Sequence, residues 1–287
     1  MTSLRATAIL LVFVFVTVIL LPLQWAAVKF HHPLRRCIPF RYHRFVCRLF
    51  GVRVSVLGAP LSGGGLMTAN HNGWLDIPIL SAVAPVSFIA KSEVARWPFF
   101  GTLARLQRTI FIRRERANAR DDRDTIRKRL REGDALVLFP EGTSSDGNRV
   151  LTFRSALLSA AELDLGEDAA QRPRHASVQP VSIALVRLHG MPMGRENRPF
   201  YAWYGDMELV PHLWEALKSG PIDVTVEFHK PLTIDEAGGR KELAARCEAA
   251  VRAGLIGALS GSQVEPGPAH DEALVKALKE AETEEAA

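Results

Sequence analysis

The stretch ANHNGWLDIPIL, residues 69–80, joins two kinds of sequence pattern. The apolar run 66–69 has the composition of a buried strand, and the sequence from residue 74 onward has helical spacing. Between them, a short polar loop places His71 and Asp76 five residues apart. In one interpretation, His71 is a base and Asp76 is the carboxylate that orients it. In the other, the loop is an ordinary turn into a helix.

The alternation of strand and helix patterns continues along the chain. Short apolar, β-branched runs predict strands at 52–56, 66–69, 86–90, 109–112, 135–139, 178–185, 200–204 and 224–228. Helical patterns lie near 74–83, 94–106, 118–132, 153–163, 211–218 and 239–258. We therefore predict an α/β fold, in which a mixed β-sheet is covered by helices on both faces and preceded by an N-terminal membrane helix.

The N-terminal residues 6–28 form an apolar run without a charged side chain. This run is long enough to cross a hydrocarbon core of about 30 Å, and it lacks the clear cleavage site of a signal peptide. Basic residues follow it, whereas only Arg5 precedes it. This asymmetry predicts an inner-membrane protein whose remaining chain lies on the cytoplasmic face. A reentrant or interfacial helix is the alternative.

Composition predicts four segments. Residues 1–28 form the anchor, and residues 29–55 form a basic juxtamembrane segment that lies on anionic lipid headgroups. Residues 56–260 form one globular domain, and residues 261–287 form an acidic tail rich in Ala and Glu. The net charge of +5 suits acidic partners. No nucleic-acid partner is expected, because the basic stretch 113–131 lacks interleaved aromatic and base-reading residues.

A second motif, LVLFPEGTSSDG at 136–147, follows another predicted strand. It presents Glu141, Gly142 and Thr143 at the carboxyl end of that strand, where ligands bind in α/β sheets. A carboxylate beside hydroxyl groups suits a polyol. The alternative is a polar turn in which Glu141 caps the next helix.

A third motif, RTIFIRRER at 108–116, ends in Arg113 and Arg114. Neighbouring residues on a strand point to opposite faces, so only one of the two arginines is expected to reach a given cleft. An arginine there offers a bidentate fork to phosphate. The alternative is a solvated charged surface.

Together and in this order, NHNGWLD, FIRR, FPEGTSS and VQPVSIAL (178–185) resemble the four blocks of the glycerolipid acyltransferases. The best-known members of that family are the bacterial lysophosphatidic acid acyltransferases. The connecting stretches FIAKSEVARWPFFGTL (88–103) and LTFRSALLSAA (151–161) are also similar to the family. The resemblance covers about 65–230, and an N-terminal membrane segment is usual in these enzymes.

The resemblance implies a role for each matched residue. His71 corresponds to the general base, Asp76 to its partner, and Arg114 to the arginine that holds the phosphate of the acceptor. The substrate-binding residues of the third and fourth blocks correspond to Glu141, Gly142, Thr143 and Pro180. Two positions depart from the family pattern, since Arg108 replaces the usual Gly and Arg113 an often acidic residue. Extra positive charge in the cleft would change the preferred headgroup.

The resemblance implies transfer of a fatty acyl group from an acyl-carrier-protein or coenzyme A thioester to the free hydroxyl of a lyso-lipid in the membrane. We expect 1-acylglycerol-3-phosphate as acceptor, giving phosphatidic acid in phospholipid biosynthesis. Lyso-ornithine lipid is the alternative, because AWYGDMELVPHLWEAL (202–217) resembles that branch of the family. A catalytically inactive lipid-binding homologue is a further alternative. No metal or bound cofactor is expected, and we interpret Trp203 and Trp214 as core or interfacial anchors.

Overall fold

The computed structural model describes residues 2–113, 119–167 and 173–262. Its first element, α1 (Thr2–Lys29), is the one helix in these ranges that is long and apolar enough to cross a membrane. One stripe of α1 packs on the rest of the protein, and its members are Ala6, Ile9, Phe13, Thr17, Gln24 and Ala27. Gln24 Nε2 donates to the carbonyl oxygen of Leu106 at 2.7 Å. The other side of α1 exposes large apolar side chains, as a lipid-facing surface does.

The basic segment after α1 is mostly helical. Helix α2 (Leu34–Phe50) buries Val46, Cys47 and Phe50 against the domain. The following strand begins at Val52 and is part of the sheet. This strand continues across the predicted boundary between residues 55 and 56, and the division into segments stays a prediction.

The strands are β1 (Val52–Leu57), β2 (Gly65–Ala69), β3 (Val86–Lys91), β4 (Ile110–Ile112), β5 (Ala135–Leu138), β6 (Asp164–Glu167), β7 (Pro173–His175), β8 (Val178–Leu188), β9 (Met191–Pro192) and β10 (Ile222–Phe228). Eight of them form one sheet in the order β1-β10-β8-β2-β5-β3-β4, with β9 beside β8. Strand β10 runs antiparallel to β8, and the other neighbours along this order are parallel. Strands β6 and β7 pair separately.

The remaining helices are α3 (Asp76–Val83), α4 (Phe100–Leu106), α5 (Ala119–Arg131), α6 (Leu209–Ser219), α7 (Ile234–Ala237) and α8 (Arg240–Ser260). They cover both faces of the sheet. In β2, Met67 packs into the core beneath α2 and α3, whereas Leu66 packs into the core beneath α5 and α8. This division follows from the alternation of side chains along a strand, and it confirms the predicted mixed sheet between two helical layers.

One predicted strand, 200–204, is wrong. The chain forms a single 3₁₀ turn at Arg198–Phe200 and continues as irregular loop. The Arg198 guanidinium donates to the carbonyl oxygens of Leu185 and Met193, and the backbone N–H of Trp203 donates to the carbonyl oxygen of Asn72. The aromatic residues that favoured a strand here do not enter the sheet, since Tyr201 packs into the apolar core and Phe200 is exposed.

Arg108 lies away from the cleft in which its charge was expected. Its φ is 63°, a conformation that glycine adopts with less strain, and its guanidinium donates to both carboxylate oxygens of Asp134 at 3.1 and 2.6 Å. Asp134 directly precedes β5. It therefore lies at the amino ends of the parallel strands, whereas the loop of His71 follows their carboxyl ends. Burial opposes ionisation of Asp134, but Arg129, Arg108 and Arg36 outweigh it and lower the pKa of the carboxyl group. The expectation of extra positive charge in the cleft is therefore wrong for Arg108.

Candidate active site

A cavity of about 520 Å³ opens at the carboxyl ends of the central parallel strands. The loop that carries His71 follows β2, and the loop that carries Gly142 and Thr143 follows β5; all three residues line the cavity. Strands β2 and β5 are neighbours, so their carboxyl ends place both loops together. The rest of the wall is mostly apolar and includes side chains of α1 and α2. The cavity can therefore hold a long apolar chain beside polar groups.

His71 and Asp76 form a hydrogen-bonded pair. Nδ1 of His71 lies 2.7 Å from Oδ2 of Asp76, and the side chains are 22% and 1% exposed. A carboxylate only accepts, so this contact places the imidazole proton on Nδ1. The second ring nitrogen, Nε2, is then free to accept a proton from a molecule in the cavity.

The loop backbone and a side-chain amide hold Asp76 in place. Its Oδ2 accepts hydrogen bonds from the backbone N–H groups of Asn72 at 2.6 Å and Gly73 at 3.0 Å. Its Oδ1 accepts from Nδ2 of Asn72 at 3.2 Å. Asn70 anchors the same loop to β8, because it accepts from the N–H of Ile183 and donates to its carbonyl oxygen. The carboxylate is thus fixed before any substrate binds.

The ring of His71 is also held by stacking. Its centroid lies 4.0 Å from that of Phe139, with an interplanar angle of 17°. Phe139 in turn lies parallel to Phe88, with centroids 6.3 Å apart. The imidazole therefore has one fixed plane and one fixed hydrogen-bond direction.

Glu141 lies behind the cavity wall and is only 2% exposed. Its Oε1 accepts from the backbone N–H of His71 at 3.4 Å, which joins the two polar loops. Burial raises the pKa of Glu141 to about 8, even though the N–H groups of His71 and Leu151 favour its charged form. Glu141 is thus not among the residues that line the cavity, and its role in substrate binding stays a prediction.

The other predicted residues separate into two groups. Gly142 and Thr143 line the cavity beside His71. Pro180 is buried in β8, where it pairs with Thr68 of β2, and it does not line the cavity. Pro180 therefore lies within the sheet, and its contact with substrate stays a prediction. Arg114 lies outside the described residues.

Sequence patterns did not assign the stacking role of Phe139 or the cavity position of Trp203. The motif FPEGTSS contains Phe139. Its stacking partner His71 lies on another loop, so no spacing within the motif predicts the contact. Trp203 lines the cavity and is not a buried core anchor, whereas Trp214 packs against the apolar core as expected. The adjacent aromatic and acidic residues at 203–208 are the sequence feature that could have indicated a binding role for Trp203.

The arrangement combines a proton acceptor with a fixed tautomer, a mostly apolar cavity, and neighbouring hydroxyl and backbone groups. It contains no serine or cysteine nucleophile hydrogen-bonded to His71 among the described residues. His71 is therefore placed to accept a proton from a molecule that binds in the cavity. Such a site suits transfer of a group onto an alcohol.

Comparisons with known proteins agree with this chemistry. A family model described as acyltransferase matches residues 53–184. The chain is 47% identical over 247 residues to the lyso-ornithine lipid O-acyltransferase of Brucella abortus, covering 85% of this chain and 91% of that protein. It is 33% identical over 194 residues to the 1-acyl-sn-glycerol-3-phosphate acyltransferase of Neisseria gonorrhoeae, covering 66% and 69%.

A solved structure gives the same architecture. The crystal structure of the 1-acyl-sn-glycerophosphate acyltransferase PlsC from Thermotoga maritima matches with a TM-score of 0.60 and 23% sequence identity. The match covers 89% of this chain and 96% of that one. At this identity, the likeness shows a shared fold, including the mixed sheet and its flanking helices.

Proposed function

The chain belongs to the acyltransferase family, and from that premise we propose that it transfers a fatty acyl group from an acyl thioester to the hydroxyl of lyso-ornithine lipid. The prediction of a lyso-lipid acyltransferase from the four sequence blocks is confirmed by these relatives. The observation that carries the mechanism is the 2.7 Å contact between His71 and Asp76 on the wall of the cavity.

In this proposal, His71 is the general base. Its Nε2 takes the proton of the acceptor hydroxyl while that oxygen attacks the thioester carbonyl, and Asp76 stabilises the imidazolium that forms. The C–S bond of the tetrahedral intermediate then breaks, and the proton on His71 goes to the departing thiolate. The apolar cavity holds acyl chains and supplies proximity, and no bound cofactor takes part.

Relatives and the cavity together support one acceptor over the other. The lyso-ornithine lipid enzyme of Brucella abortus aligns over more of this chain, and at higher identity, than the lysophosphatidic acid enzyme of Neisseria gonorrhoeae. Among the described lining residues, Lys91 is the only Lys, Arg, Asp or Glu. These observations favour lyso-ornithine lipid, and 1-acylglycerol-3-phosphate, which the sequence placed first, becomes the second candidate.

The protein is membrane-associated, since α1 exposes a long apolar side and the relatives act on membrane lipids. We place it at the inner membrane with its catalytic domain on the cytoplasmic face, because the basic residues follow α1. The acyl donor is a thioester of acyl carrier protein or coenzyme A.

A panel assay tests the proposal. Purified protein in detergent is supplied with labelled acyl-coenzyme A or acyl carrier protein, and with lyso-ornithine lipid, 1-acylglycerol-3-phosphate or other lyso-lipids. We expect labelled ornithine lipid as the main product. Transfer to 1-acylglycerol-3-phosphate alone would contradict the proposed acceptor. Transfer to none of the lyso-lipids would contradict the proposed activity.

A further inference from the structure

Two indole rings stand at right angles on the wall of the cavity. The centroids of Trp97 and Trp203 are 5.8 Å apart, with an interplanar angle of 85°, and both side chains line the cavity while remaining partly exposed. Perpendicular aromatic faces form a corner in which a cation contacts the negative face of a ring. The described lining thus contains a possible cation site close to the surface.

The position of Trp203 is tied to the loop of the proposed base. Its backbone N–H donates to the carbonyl oxygen of Asn72 at 2.7 Å, and its indole N–H donates to the carbonyl oxygen of Met207 at 2.8 Å. Gly73 packs so closely that an added Cβ would lie 2.7 Å from the backbone nitrogen of Trp203. Because Asn72 and Gly73 directly follow His71, the backbone of Trp203 is held against the loop of the proposed base.

The charged residues of the described lining do not provide a binding site for a cation, so the aromatic rings are the groups that can contact one. The described lining contains Lys91 but no Asp or Glu, so an ammonium group inside would meet no carboxylate there. Asp206 and Glu208 are exposed on the loop that continues from Trp203, where they favour a cation near the rim. Lys91, at the end of β3, suits an anionic group instead. The described wall therefore offers one place for a cation and another for an anion.

We propose that the Trp97–Trp203 corner binds the ammonium group of a zwitterionic acceptor and so selects ornithine-type headgroups. In an ornithine lipid, one amino group is acylated, which leaves one ammonium and one carboxylate. The ammonium contacts the indole faces and the carboxylate lies toward Lys91. This inference rests on the proposed function, because it concerns the acceptor of the same site. A phosphate monoester has no ammonium and gains nothing from the corner.

The test compares lyso-ornithine lipid with the same lipid after acetylation of its free amine, which removes the positive charge. In the wild type, we expect acetylation to lower kcat/KM by about threefold to thirtyfold, the range of a cation–π contact from partly exposed to desolvated. Trp97→Leu should lower kcat/KM for the charged lipid by a similar factor and leave the acetylated lipid nearly unchanged. Trp97→Phe, which keeps a weaker ring, should give an intermediate ratio.

A matched control is Trp25→Leu, since Trp25 lies on the exposed side of α1 and does not line the cavity. It should keep the wild-type ratio between the two lipids. If Trp97→Leu and Trp97→Phe both keep that ratio, the corner does not recognise the ammonium, and the inference alone fails. If Trp97→Leu is inactive on both lipids, the ratio of Trp97→Phe decides. If the wild type acylates 1-acylglycerol-3-phosphate but not lyso-ornithine lipid, the proposed acceptor fails, and this inference fails with it.

Discussion

Two of the histidine–carboxylate arrangements in the described part of the chain differ in access, and the one that looks more like a hydrolase triad has its serine buried in the core. Nε2 of His229 lies 2.6 Å from Oγ of Ser182, and its Nδ1 lies 3.5 Å from Oε1 of Glu227. At the other arrangement, His71 has Asp76 as its carboxylate and no serine in the corresponding place. Of His71 and His229, His71 is the one that lines the 520 Å³ cavity.

Helix α8 closes the second arrangement. Ser182 is 2% exposed, and its hydroxyl also contacts the carbonyl oxygen of Val251 in α8 at 3.0 Å. An added Cβ on Gly254 would lie 2.3 Å from Oγ of Ser182, so no reactant fits between the helix and the serine. Burial also lowers the pKa of His229. Both histidines have a carboxylate partner, so it is the adjoining cavity that favours His71 over His229 as the proposed base.

A substitution at each of the two histidine sites gives the largest expected difference in the rate of acyl transfer. His71→Ala should lower the rate of acyl transfer by about 10²- to 10⁴-fold, because the general base is lost. Ser182→Ala should keep the rate near that of the wild type, since Ser182 contacts only the core. Initial rates of purified proteins, with circular dichroism as a check on folding, measure both. Near-normal turnover of His71→Ala would contradict the assignment of the base.

The orientation of His71 is tested by Asp76→Asn. An amide in this place can accept from Nδ1 or donate to it, so part of the imidazole takes the wrong tautomer. We expect a loss approaching that of His71→Ala, seen in kcat more than in KM. Glu227→Gln is the matched control at the enclosed site and should leave kcat unchanged. Equal losses in the two variants would remove the distinction between the sites.

Glu141 gives the site a pH dependence of stability. Its pKa in the folded protein is about 8, above the ordinary value of 4.5, so the folded state holds the proton more tightly than the unfolded state. The contribution is fully present below pH 4.5 and is lost as the pH rises towards 8, with a size on the order of a few kcal/mol. Glu141→Gln should flatten this part of the curve. Chemical denaturation between pH 5 and pH 8, at about one-unit intervals, compares the two proteins, and identical slopes would show that Glu141 is ionised throughout.

The smallest effect is expected at the enclosed arrangement. Gly254→Ala gains about 1 kcal/mol of helix propensity, but its methyl group would collide with Ser182 and Glu227. Overpacking typically costs about 1–3 kcal/mol, so we expect a net loss of stability with little change in the kcat of the folded protein. Ser182→Ala in the same chain should restore part of the loss, because it removes the nearest atom. Thermal unfolding measures both variants, and an unchanged midpoint for Gly254→Ala would mean that α8 shifts freely.

Local sequence determined much of the fold. Apolar runs of four to eight residues separated by polar turns predicted seven of the strands, because a strand buried on both faces needs such a run whatever packs against it. The same locality explains the loop 69–80. His71 and Asp76 are five residues apart, so a single turn can bring their side chains within hydrogen-bond distance, and contacts with Ile183, Glu141 and Phe139 hold that turn in place.

Contacts between distant segments decided the rest. The 200–204 stretch has the composition of a strand, yet hydrogen bonds to Asn72 and Arg198 hold it as a loop on the cavity wall. The sequence suggested a substrate-facing Glu141, but the loops around it bury the carboxyl group and raise its pKa to about 8.

The sequence alone thus determined seven strands of the main sheet, the apolar N-terminal helix and the spacing that lets His71 meet Asp76, since each depends on neighbours along the chain. Only the tertiary structure decided that His71 faces a cavity while His229 lies beneath α8, and that Arg108 binds Asp134 away from the cleft. Burial, access and charge pairing depend on which remote segments pack together. No short sequence pattern encodes that packing.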